Sequence, residues 1–135
     1  MKEVSEIYND GESKFLLKKL FTVEDYITFM VKIMIGEDYS GAHSFCINKF
    51  NLKDIIDEFK KMNANLIGEV NIYDYDSESY LKFKVKEGEV FLKGQLGSSF
   101  EKNIFIFQHE FDQTIIKRLV TCLLDFLKNE DESNL

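Results

Sequence analysis

Alternation between apolar and polar side chains predicts strands over much of this chain. The clearest run covers residues 26–35, where every odd-numbered side chain is β-branched or aromatic. A two-residue period of this kind puts one set of side chains on the core face of a sheet. Similar patterns predict strands at 15–21, 42–48, 66–73, 80–85, 90–96 and 103–107. Before Ser13, a short edge strand over residues 4–8 and a loose terminus fit the pattern equally well.

Two segments follow the helical period instead. The first has an apolar stripe on one helix face: Leu52, Ile55, Ile56, Phe59 and Met62. The second has a wider apolar face, formed by Ile115, Ile116, Leu119, Val120, Leu123, Phe126 and Leu127. Stripes of this spacing are typical of helices packed on a core. Asn51 and Asp112 stand where a capping side chain is needed.

The element order β-β-β-α-β-β-β-β-α predicts an α+β fold in a single domain over residues 1–135. Short links between the last four strands require an antiparallel meander. We expect a curved, mainly antiparallel sheet of six to seven strands, with two helices on one face. Residues 103–107 place apolar side chains on both faces of the predicted strand, which predicts a central position in the sheet. We find no internal repeat, and we expect residues 1–13 and 129–135 to be loosely ordered.

Two glycines fall inside predicted strands on the core parity. They are Gly68 and Gly94. A glycine in this position indicates a bulge or the close approach of another element, and we expect a helix to cross over them.

Composition limits the classes of partner. The chain has 17 Lys+Arg against 24 Asp+Glu, a net charge of −7, and Arg118 is its one arginine. The guanidinium group of arginine is the preferred bidentate hydrogen-bond donor to phosphates and base edges. Because the chain has a single arginine, we expect no direct binding of nucleic acid. A basic protein partner fits the charge better. No signal peptide or run of about 20 apolar residues is present, so we predict a cytoplasmic protein that does not enter a membrane.

Residue types with catalytic potential are few. The histidines are His43 and His109, and the cysteines are Cys46 and Cys122. His109 with Asp112 as an acid–base pair and Cys46 as a nucleophile would make a hydrolase, but nothing in their spacing supports it. The cysteines are expected to be free thiols. No metal-ligand spacing or glycine-rich phosphate loop occurs, so we predict no catalytic residue, metal or cofactor.

Two loops combine carboxylates with tyrosines, a composition that interface hot spots share with ordinary solvated turns. One loop contributes the candidate partner-binding residues Tyr73, Asp74, Tyr75, Asp76 and Glu78. The other contributes Glu37, Asp38 and Tyr39. Asp112-Gln113-Thr114, at the predicted strand-to-helix corner, is interpreted as scaffold.

Several of these features occur together in a known order. They are Tyr39-Ser40-Gly41 with Phe45, the helix ending at Met62, Leu66-Ile67-Gly68-Glu69, Asp74-Tyr75-Asp76-Ser77 with Tyr80 and Phe83, Gly88-Glu89-Val90 with Gly94, and Asp112-Gln113-Thr114. Over about residues 26–127, the chain resembles the WapI-type immunity proteins of bacterial polymorphic, contact-dependent toxin systems.

The resemblance implies a cytoplasmic protein that binds the C-terminal toxin domain of a large secreted protein and blocks it without catalysis. It also implies that the toxin is a nuclease and that toxin-contacting residues vary between members, so none is transferred to this chain. Two alternatives stay open. One is a small hydrolase or ligand-binding domain with a pocket under the sheet, and the other is a generic protein-interaction module.

Overall fold

A meander of four strands followed by a helix occurs twice in the chain. The computed structural model describes residues 4–98 and 103–128. The first unit contains β1 (Ser5–Asn9), β2 (Ser13–Val23), β3 (Tyr26–Ile35), β4 (Tyr39–Asn48) and α1 (Lys49–Asn65). The second contains β5 (Gly68–Tyr73), β6 (Tyr80–Lys86), β7 (Glu89–Leu96), β8 (Phe105–Asp112) and α2 (Ile115–Lys128).

The strands form two four-stranded antiparallel sheets, ordered β1-β2-β3-β4 and β5-β6-β7-β8. The predicted α+β class is confirmed. The prediction of one curved sheet with six to seven strands is wrong, because α1 separates β4 from β5 and the two do not pair.

Both units follow the order ββββα. The chain therefore repeats its connectivity, although its sequence shows no internal repeat. The N-terminal edge strand, one of two alternatives, is present as β1. The tail at 129–135 lies outside the described residues.

One hydrophobic core joins the two sheets and both helices. The five predicted apolar residues of α1 are its buried residues, and the odd-numbered positions 27–33 of β3 are buried as predicted. Phenylalanine rings link the layers: Phe83 lies 5.1 Å from Phe59 and 6.2 Å from Phe15, measured between centroids. Alternation and helical period therefore identified the core faces of β3 and α1 correctly.

Helix α1 begins earlier than the sequence predicts. Asn48 is extended, and its Oδ1 accepts a hydrogen bond from the Phe50 N–H at 2.9 Å. This side chain satisfies one of the free amides of the first turn, so Asn48 is the cap, whereas Asn51 lies inside the helix. Asp112 ends β8, and its Oδ1 accepts the Thr114 N–H at 2.8 Å. It holds the turn that precedes α2.

Strand β4 lies across the strand ends of the second sheet. The Tyr39 hydroxyl donates to the Ile106 carbonyl at 2.9 Å, near one end of β4. Near the other end, the Cys46 N–H donates to Asp74 Oδ1 at 2.8 Å and the Tyr75 N–H donates to the Cys46 carbonyl at 2.9 Å. The two bonds at Cys46 occupy backbone groups on the β4 edge that would otherwise be free to pair with another chain.

The predicted central strand at 103–107 is instead the start of β8, an edge strand. Ile106 is 55% exposed. The apolar character of Phe105 has another cause: its ring packs 4.7 Å from Tyr39 and over Gly41. The close approach expected at Gly94 is real, but it is made by the Phe107 ring, 2.7 Å from where a Cβ would stand, and not by a helix.

Strand β2 changes the direction of its side chains part-way along. Its pairing with β3 shifts register between Lys19 and Phe21, as a β-bulge does. Before the bulge Lys19 points inward, is buried, and donates from Nζ to the Phe126 carbonyl at 2.8 Å, near the end of α2. After the bulge, Phe21 and Val23 point outward.

Candidate partner-binding site

A cleft of about 500 Å³ opens where the β2–β3 turn meets the β5–β6 loop. Its walls include Phe21, Val23 and Glu24 from the turn region, Tyr26 from β3, and Asp76 from the loop. We call this feature the turn–loop cleft. It lies on the outer face of the first sheet, and not under a sheet as one sequence-based alternative expected.

Asp74 holds the loop in place. Its side chain is 7% exposed. Besides the Cys46 N–H, its carboxylate accepts the Asp76 N–H at 3.2 Å and the hydroxyl of Ser77. Three donors on one buried carboxylate satisfy it internally. Of the residues predicted for this loop, Asp74 therefore positions the others.

The other predicted residues of the loop face solvent. Tyr75 is 72% exposed, and its ring centroid lies 5.2 Å from that of Tyr26. Asp76 is exposed beside it. Tyr73 is 55% exposed on the outer face of β5. Glu78 is exposed, and its N–H donates to Ser98 Oγ at 3.0 Å.

The second predicted patch lies elsewhere. Glu37 and Asp38 are exposed in the β3–β4 turn, and Tyr39 starts β4 at the Phe105 contact. Cys46 lies seven positions after Tyr39 in β4, which is about 23 Å of extended chain. The structure therefore does not bring the two acidic loops together.

The sequence did not indicate Phe21, Val23 or Glu24 as residues of a binding site. Phe21 and Val23 are 50% and 59% exposed, and Glu24 is exposed beside them. Simple alternation from Phe15 would have turned both apolar residues inward. The available signal was the adjacent pair Lys18 and Lys19, because one of two consecutive lysines in a strand must face the core.

Glu24 and Asp25 form the tight turn between β2 and β3, and they differ in their roles. Asp25 is engaged: its carboxylate lies 3.3 Å from Lys49 Nζ, and its carbonyl accepts the Lys49 N–H at 2.7 Å. Glu24 has a φ of +54°, in the left-handed region of backbone conformation that residues other than glycine, asparagine and aspartate rarely adopt.

The hydrolase constellation does not assemble. His43 Nδ1 lies 3.3 Å from Ser79 Oγ. His109 pairs across the sheet with Leu92, and Ser79 lies at the level of Leu96, four residues or about 13 Å farther along β7. Acid–base partners must lie within hydrogen-bond reach, so the two histidines cannot share one site.

Cys46 lines the turn–loop cleft but is not activated. Burial is the largest influence and raises the pKa of its thiol, and the nearby Asp76 and Asp74 carboxylates raise it further. Thr28 acts in the opposite direction through a hydrogen bond. A reactive cysteine needs a positive environment that stabilises the thiolate. This thiol has the reverse, which suits it to packing.

Within residues 4–98 and 103–128, no group of three or more His, Cys, Asp or Glu side chains is arranged to hold a metal ion. Among the same residues, no helix is long and apolar enough to cross a membrane.

No family model and no curated protein matches this chain. A chain in the crystal structures of Trypanosoma bruciei MRP1/MRP2 is similar in fold, with a TM-score of 0.54 and 12% sequence identity. The alignment covers 96% of this chain and 94% of that one. The similarity therefore extends over both ββββα units, and at this identity it shows the fold alone.

Proposed function

We propose that this protein is a cytoplasmic immunity protein that binds and neutralises the toxic C-terminal domain of a secreted bacterial toxin. The toxin domain is a nuclease, and the protein blocks it sterically and electrostatically without catalysis. The observation that carries the proposal is the turn–loop cleft, where exposed Phe21, Val23 and Tyr75 stand beside the carboxylates of Glu24 and Asp76. Aromatic and apolar anchors bordered by charge are typical of protein-binding hot spots.

The residues that carry the family resemblance support a shared scaffold. Gly41 makes room for the Phe105 side chain, and Gly94 makes room for the Phe107 ring. Asp74 ties the β5–β6 loop to β4, and Asp112 holds the turn before α2. Each needs its residue type for packing or a backbone hydrogen bond. A resemblance of this kind predicts a common fold with a binding surface that differs between members.

Charge supports a basic target. A net charge of −7 on a chain of this length attracts a positively charged domain and steers it during the encounter. Nuclease domains present basic surfaces because their substrate is a polyanion. Covering such a surface with an acidic protein excludes the substrate.

Co-expression tests the proposal. The toxin would be sought in a neighbouring reading frame that encodes a large secreted protein, and its C-terminal domain would be induced in cells with and without this protein. We expect growth to be restored only when both are present, and we expect the two proteins to co-purify. Failure of rescue with the C-terminal domain of every adjacent toxin would refute the function.

A further inference from the structure

We propose that the turn–loop cleft receives the side chain of a basic residue, arginine or lysine, from the bound toxin domain. This inference rests on the proposed function and names the chemistry of the anchor. Both side chains have a long apolar stem and a charged head. The cleft offers the complementary arrangement, with apolar walls and two carboxylates that form no ion pair with any residue that the structure describes.

The apolar walls exist because of the bulge in β2. After the register shift, Phe21 pairs with Thr28 and Val23 pairs with Tyr26, so these side chains share the outer face. Bulges commonly re-aim side chains next to functional sites. Phe21 and Val23 remain at least half exposed, which leaves apolar surface for an aliphatic stem to cover.

The carboxylates that line the cleft, and Asp25 next to it in the chain, differ in their hydrogen bonds and ion pairs. Asp25 is paired with Lys49, and Asp74 is satisfied by three donors. Glu24 and Asp76 line the cleft, and neither forms an ion pair within the part of the chain that the structure describes. A cation placed between them would gain charge-assisted hydrogen bonds. The cleft therefore matches a cationic head better than a neutral or anionic one.

An aromatic ring adds a further preference. Tyr26 lines the cleft, and the Tyr75 ring packs against the Tyr26 ring with an angle of 41° between the two ring planes. A guanidinium group stacks favourably on such a ring, and it can hydrogen-bond a carboxylate at the same time. Arginine can use the apolar walls, the two carboxylates and the Tyr26 ring, and lysine can use all of these except the planar stacking.

The backbone at Glu24 leads to a stability prediction. A glutamate with a φ of +54° is strained, and glycine would fit the turn without that cost. We therefore expect Glu24→Gly to raise the thermal midpoint of the protein while it weakens toxin binding.

A small-molecule probe tests the cleft without the toxin. N-acetyl-L-arginine amide would be titrated into isotope-labelled protein while backbone amide resonances are followed. We expect saturable shifts centred on Phe21, Glu24 and Asp76. The matched neutral probe, N-acetyl-L-citrulline amide, should give much smaller shifts. Equal shifts from both probes, or saturable shifts only outside the cleft, would overturn the proposal.

Matched variants test the carboxylates. Glu24→Gln and Asp76→Asn remove charge and preserve shape, and each should weaken probe and toxin binding by about fivefold, the ratio for an exposed ion pair of about 1 kcal/mol. The controls Glu58→Gln and Asp57→Asn, exposed on α1, should leave binding unchanged. Wild-type affinity in both cleft variants would contradict the proposal.

The two proposals fail in different ways. If the wild type rescues cells and the cleft variants bind the toxin as well as it does, the anchor is wrong and the immunity function stands. If the wild type does not rescue, the immunity function fails, and selective saturation by the arginine probe still decides whether the cleft accepts a basic side chain.

Discussion

The carboxylate of Asp74 accepts the backbone N–H of Cys46 at 2.8 Å, across the boundary between the two sheets. The adjacent Tyr75 N–H returns a bond to the Cys46 carbonyl at 2.9 Å. These two bonds make the β5–β6 loop an extension of the β4 edge. They also fix one wall of the turn–loop cleft relative to the other.

Removing the Asp74 side chain should loosen this junction. Asp74→Ala leaves three donors, one of them the Cys46 N–H, without their acceptor in a largely buried position. We expect a loss of about 2–4 kcal/mol in the free energy of unfolding, since each unpaired buried group costs about 1–3 kcal/mol and water recovers part of it. Urea denaturation measures the loss. The exposed neighbour is the control: Asp76→Ala should change stability by less than about 1 kcal/mol. Similar losses in both variants would contradict the assigned role.

The contact between Gly41 and Phe105 makes a second prediction. A Cβ on Gly41 would lie 2.6 Å from the Phe105 Cβ, so Gly41→Ala forces the strands apart. Overpacking of this kind costs about 1–3 kcal/mol. If the clash is the cause, combining Gly41→Ala with Phe105→Gly, which removes the Phe105 Cβ as well as its ring, should give a smaller loss than the sum of the single variants in a double-mutant cycle. Strict additivity would show that the Gly41 backbone, and not this contact, sets the cost.

The sequence predicted what depends on local periodicity. Strand β3 and helix α1 bury the residues that alternation and the helical stripe indicated, because each pattern spans several turns or pairs. The junction was not predictable in this way. Nothing local indicates that Asp74 faces Cys46 or that Phe105 covers Gly41, since these residues meet only after two sheets pack. The cleft was half predicted: Tyr75 and Asp76 stand out by composition, whereas Phe21 and Val23 reach the surface through one bulge.

Cys122 should make stability depend on pH in the alkaline range. Burial raises the pKa of this thiol from an ordinary 9.0 to about 11. Because the folded-state pKa is the higher one, the contribution is fully present below pH 9 and is lost as the pH rises toward 11. Two pKa units correspond to about 2–3 kcal/mol. Urea denaturation between pH 8 and 11 would measure it.

Other groups titrate in the same interval, so the control is the variant Cys122→Ala. Its cavity should cost stability equally at every pH, and the difference between wild type and variant should shrink as the pH rises. A difference that stays constant from pH 8 to 11 would show that the thiol ionises freely in the folded state.

The last prediction concerns the rate at which the toxin domain binds. Reversing the charge of Glu24 and Asp76 to lysine should slow association by about tenfold at low salt and flatten its salt dependence, because rim charges act mainly on the encounter. Asp74 is excluded from this variant, since its reversal would disrupt the loop and confuse stability with binding. Stopped-flow association at several salt concentrations measures the effect. The matched control reverses Asp57 and Glu58 on α1, which changes net charge equally. If both double variants slow association to the same extent, steering depends on total charge and not on this cleft.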